Sequence, residues 1–224
     1  MEFRGYDTHP VRRDTHSAHR HAWERLSQPG CHWTGAERVA IAAQARSAQT
    51  ERGLLPADES RPTRPTEPLS AAASEAARTV AVDARGLDRA WSRRIADDLG
   101  EDGYVELVAV VVQTTAVDVF AAALGVPLEP LPSPQSGAPD PALAAADDAL
   151  GEIGAFVPML RDFPGPNVGR ALSLVPQDNR SFFALVASMY ALEDFGELVW
   201  DRPLTRPQVE LVASRVSALN ECFY

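Results

Sequence analysis

Apolar positions in this chain recur mostly at helical spacing, and nowhere do they alternate over the length of a strand. Leu87, Trp91, Ile95 and Leu99 stand at i, i+4, i+8 and i+12 and predict an amphipathic helix over 87–99. The stretch 102–124 is the most apolar. Val105, Leu107, Val108, Val110, Val111 and Val112 alone read as a buried strand, but the pattern continues through Val117, Val119, Phe120 and Leu124 to Gly125 and Pro127. That length predicts a buried helix. Val39, Ile41, Ala42, Ala45 and Ala48 predict a helix over 34–49, opened by Thr34 and Glu37 as a capping box. The Ala-rich run 70–84 predicts another, and short helices are expected at 141–151 and 166–174. Phe182, Phe183, Leu185, Val186, Met189, Tyr190, Leu192 and Phe195 predict a long helix over roughly 178–198. The last helix starts at Thr205, where Gln208 completes a second capping box and Pro207 sits in the first turn. Its stripe of Val209, Val212, Val216 and Leu219 is expected to face the core.

Between these elements lie two proline-rich breaks. Residues 53–70 carry Pro56, Pro62, Pro65 and Pro68, and residues 125–141 carry six prolines. The chain then divides into a flexible polar arm (1–28), an amino-terminal helical half (29–130), a connector (131–141) and a carboxy-terminal half (142–224). Residues 34–43 and 205–214 align without gaps, which suits either two related helical halves or convergent helix starts. The predicted fold class is all-α.

Composition narrows the function classes. The 224 residues carry a formal charge of −10, which argues against nucleic acid or an anionic membrane surface as partner. All 21 basic residues are Arg, so mechanisms that need a Schiff-base or P-loop lysine are excluded. Together with the abundance of Ala, Arg, Pro and Val, this suits a GC-rich bacterial source. No uninterrupted apolar run reaches 18 residues; the best, Val105 to Val112, is eight long and contains Glu106, so no spanning helix is expected. The first residues lack the apolar segment of a secretory signal, and two cysteines make no disulfide framework, so a reducing cytoplasm is expected. All five histidines fall within the first 32 residues; His16, His19 and His21 are read as part of the polar arm rather than as a metal site. No cofactor motif occurs, and no cofactor or metal is expected.

The chemistry concentrates near residue 224. On one straight helix Glu210 and Cys222 would stand ~18 Å and about 120° apart. They can meet only if the helix ends near Leu219 and the chain turns at Asn220, which tolerates a left-handed conformation and can also cap a following helix. Cys222 would then lie in a first helical turn, where the helix dipole raises the thiolate fraction. Glu210, eleven residues, then Cys222, within VELVASRVSALNECFY, resembles the carboxymuconolactone decarboxylase-like superfamily, in particular its alkylhydroperoxidase D-like branch. The stretches 33–46, 104–132 and 181–224 are similar to the two-part proteins of that group, over about half the chain.

This resemblance implies a helical bundle, a homo-oligomer and reduction of hydroperoxides through a Cys-x-x-Cys pair. Glu210 matches the acidic proton relay and Cys222 the resolving cysteine. The implied partners are a hydroperoxide and a dithiol protein or small thiol. The family's second cysteine would fall at position 225 and its histidine at 229, so the resemblance implies the amino-terminal part of a longer enzyme, itself without family-level turnover. Cys31, close to the arm, does not rank as the missing partner, and spacing does not support its pairing with Cys222. Two alternatives remain: a decarboxylase- or lactonase-like enzyme on the same fold, disfavoured because no histidine is expected in the structured part, and a non-catalytic oligomeric helical protein in which Cys222 is inert.

Overall fold

The computed structural model describes residues 3–57, 67–165, 167–191 and 203–220. Among these the chain is all-α. Seven α-helices are joined by loops and short 3-10 turns: α1 Arg13–Ser27, α2 Gly35–Glu51, α3 Ala71–Val82, α4 Arg89–Leu99, α5 Glu101–Leu124, α6 Pro176–Val186 and α7 Arg206–Leu219. The only sheet among the described residues pairs β1 (Leu150–Gly151) with β2 (Met159–Leu160), antiparallel.

The axis of the core is α5. Its β-branched residues cost helix propensity, but apolar side chains all round its surface demand burial from every side. Helices α2, α3, α4 and α6 supply that cover. Gly125 ends α5 in the left-handed region at φ +69°, with its N–H satisfied by Ala121 and Ala122. Small residues let the neighbours come close: Ala42 and Ala45 of α2 and Ala73, Ala76 and Ala77 of α3 are buried with Ile95, Leu107, Val110 and Val111. Val157, Leu172, Leu174 and Val175 join the same cluster, so residues beyond the connector share this core. A second cluster gathers Phe3, Tyr6, Trp23, Val117, Ala121 and Leu185.

The first 28 residues are not a flexible arm from residue 3 onward. Residues 13–27 form α1, and Ala22, Trp23 and Leu26 are buried. The many charges of this segment conceal a one-sided helix whose apolar positions are few but large. The connector is equally engaged. Gln135 N–H donates to Ser27 O at 2.8 Å, Asp140 N–H to Gly30 O at 2.9 Å, and the Trp23 indole to Pro130 O at 2.9 Å. Where short helices were expected, the described residues form 3-10 turns (Pro141–Leu143, Asp147–Ala149, Asn167–Arg170) and the strand Leu150–Gly151 rather than α-helices. The helix expected over 178–198 runs from Pro176 to Val186 and widens into a π-helical turn, Ala187–Ala191; its remainder lies outside the described residues.

Helix α7 has the expected Thr205–Gln208 capping box but buries no residue. Its half-buried positions include Arg206, Glu210, Ala213 and Ser217, whereas Leu211, Val212, Val216 and Leu219 are exposed. The predicted core-facing stripe therefore points largely to solvent: periodicity marks an apolar face without saying what covers it. One helix among the described residues, α5, is long and apolar enough to cross a membrane by length and composition, with half of its most apolar window buried. Core helices of soluble proteins meet the same measure, so it neither supports nor overturns the expectation of no spanning helix.

Candidate functional site

Glu210 and Cys222 are the residues singled out by the sequence. Cys222 lies outside the described residues. Glu210 sits on the second turn of α7 with its side chain 44% exposed. Tyr190, in the π-helical turn after α6, donates its hydroxyl to Glu210 Oε2 at 2.7 Å, and Arg206, one turn back on α7, offers Nε to Oε1 at 3.4 Å. The accepting carboxylate, with some burial, pushes the Tyr190 phenol above its ordinary value. The result is a solvent-reachable carboxyl group with a phenol on one oxygen and a guanidinium on the other, residue types that serve in proton transfer.

A second constellation lies in the interior, where sequence reasoning had not looked for one. Arg38 of α2 is buried between Glu106 of α5 and Asp178 of α6. Its Nη1 donates to Glu106 Oε1, and its Nη2 to Asp178 Oδ1 at 2.6 Å. Arg25 of α1 adds a bond from Nη2 to Asp178 Oδ2 at 2.9 Å. The four charges cancel, which is what makes their burial tolerable. Burial alone would raise the Asp178 carboxyl, but Arg38 and Arg25 hold it below the usual range; burial would lower Arg38, and its two carboxylates raise it instead. The other Glu106 oxygen accepts the Cys31 thiol at 3.1 Å and the His32 backbone N–H at 2.8 Å. Gly30 permits this approach, because a Cβ there would fall within 2 Å of the Glu106 carboxylate.

The same geometry defines Cys31. Burial, and then the charge of Glu106 together with the hydrogen bond to it, push its thiol well above the usual range. A thiolate there would face a carboxylate, so Cys31 is an inert donor. The nearby His32 imidazole is 3.6 Å from Asp102.

A separate pair fixes α2 farther along α5. Arg46 clamps Asp118 through Nε (2.8 Å) and Nη2 (2.6 Å) and also reaches Glu129 O at 3.0 Å. Burial raises Asp118 despite this partner. His19 lies fully buried near Phe3, Phe120 and Tyr6, with Nδ1 2.7 Å from the Tyr6 hydroxyl and Nε2 3.3 Å from Met189 Sδ. The expectation of no histidine in the structured part is thus overturned. No group of three metal-ligating side chains occurs among the described residues.

Sequence signals for the interior charges did exist. Glu106 and Asp118 are isolated acids in an apolar helix, and Arg38 and Arg46 stand among alanines. Their pairing is long-range and has no sequence period. No family model, curated protein or solved structure matches the chain.

Proposed function

We propose that the chain serves thiol-dependent hydroperoxide reduction, of the kind its resemblance to the alkylhydroperoxidase D-like branch implies, with Glu210 as proton relay and Cys222 as resolving thiol. The observation that supports this reading is the Tyr190–Glu210 hydrogen bond beside Arg206, which holds the Glu210 carboxyl group in a defined position at the protein surface. A peroxidatic thiolate attacks the O–O bond of the hydroperoxide, becoming a sulfenic acid and releasing an alcohol. Cys222 attacks that sulfur, forming a disulfide and releasing water, and a dithiol then reduces the disulfide by exchange. The peroxidatic sulfur is not Cys31, which is buried against Glu106. In this proposal that sulfur therefore belongs to a thiol other than the two cysteines of the chain.

The test is hydroperoxide consumption with a dithiol reductant. Residues 1–224 alone should show no turnover. Extension through position 229, with cysteine at 225 and histidine at 229, should confer activity that Cys222→Ser abolishes and Glu210→Gln lowers by about 10²-fold or more. An inactive but folded extended chain refutes the proposal, as does Cys222-dependent turnover by residues 1–224.

The second reading, a non-catalytic oligomeric helical protein, is favoured by the exposed Leu211, Val212, Val216 and Leu219 of α7. Sedimentation of the chain and of Val212→Glu, beside the turnover assay, distinguishes it: association lost in the variant together with no turnover by the extended chain supports this reading over the first.

A further inference from the structure

Ala22, Trp23, Leu26, Arg38, Val110, Gln113 and Thr114 line a small cavity between α1, α2 and α5. It leaves about 10 Å³ in which the centre of a water molecule can move, enough for about one water. Two of its lining residues present buried polar atoms without a partner: Arg38 Nε, a donor, and Gln113 Oε1, an acceptor.

The hydrogen-bond inventory makes their directions specific. A guanidinium has five N–H bonds. Arg38 Nη1 serves Glu106 and Asp178, and Nη2 serves Asp178 and the Arg25 carbonyl, so only Nε–H is left over. Gln113 Nε2 donates to Ala109 O at 3.1 Å, leaving its carbonyl oxygen to accept. Thr114 donates its hydroxyl to Val110 O at 2.8 Å and retains a free lone pair. One donor and two acceptors on residues that line a water-sized cavity match the three bonds a buried water typically makes.

We infer that the cavity binds one ordered water, which accepts from Arg38 Nε–H and donates to Gln113 Oε1 and Thr114 Oγ1. The water completes the coordination of Arg38. It joins the interior charge cluster to the middle of α5 through a contact that no side chain makes. The apolar side chains of Ala22, Trp23, Leu26 and Val110 form the rest of the wall and supply no competing partner.

The test is water-selective NMR on the nitrogen-15-labelled chain. A dipolar cross-peak should connect Arg38 Nε–H to a water that stays bound longer than the protein takes to tumble. In Gln113→Met this cross-peak should disappear. Thr114→Val, the milder variant should Gln113→Met fail to fold, should shorten the residence time about tenfold. The inference is overturned if the wild-type Arg38 Nε–H shows no water cross-peak, if Gln113 Oε1 accepts that hydrogen directly, or if the cross-peak is unchanged in a folded variant.

Discussion

Acidification from pH 7.5 to 5 should weaken this protein through His19. Its ring is completely buried. Burial first, and then the neighbouring His16, lower its pKa from 6.5 to about 4. The folded state therefore refuses a proton that the unfolded chain accepts. This stabilisation is fully present above pH 6.5, is lost as pH falls from 6.5 toward 4, and changes no further below that. The gap between the two pKa values corresponds to about 3 kcal/mol over the whole window. At pH 5 the unfolded imidazole is nearly all charged and the folded one is about 10% charged, so about 2 kcal/mol is already gone. Urea unfolding at several pH values, for the wild type and His19→Gln, measures this. The wild type should lose about 2 kcal/mol more than the variant between pH 7.5 and 5. An NMR titration of the His19 ring gives the same answer if the variant does not fold. Parallel stability curves, or a ring pKa near 6.5, would refute the reasoning.

Three other outcomes follow from the same contacts. Glu106→Gln leaves Arg38 without one counter-charge and should cost about 3–5 kcal/mol in urea unfolding. In a Cys222→Ser chain, Cys31 should resist alkylation at pH 8 until denaturant is added; rapid native labelling would contradict its placement against Glu106. Glu210→Gln should bring the Tyr190 phenol down toward its ordinary value near 10, readable by ultraviolet titration.

Helices α2 to α5 were legible because each combines period with punctuation. Thr34 and Glu37 open α2, and Gly125 closes α5. Helix α1 was not legible, since Arg13, Asp14, Arg20 and Glu24 outnumber the few side chains that bury Trp23 and Leu26. The 3.6-residue period revealed the apolar stripe of α7 correctly but could not place it, because facing is a property of the partner rather than of the helix. Of the candidate site, the residue type of Glu210 was readable, but its contact with Tyr190 was not: twenty positions of sequence separate the two. Burial of Arg25, Arg38 and Arg46 was not read from the sequence, because arginine is usually a surface charge. Only tertiary structure tells a solvated guanidinium from one held by Asp178 or Asp118.

The two arginines of α2 also act as alignment pins. Arg38 meets Glu106 and Arg46 meets Asp118, in the same order along both helices. The rungs are about 12 Å apart on α2 and about 18 Å apart on α5. Alanine and valine surfaces slide over one another at little cost, and a small-residue interface by itself tolerates displacement by a turn. Such a slip would strand several ions in a medium that cannot solvate them, so the misaligned packings are the ones penalised most. The interior charges thereby select a single docking of α2 on α5 from a set that apolar contact alone would leave nearly degenerate.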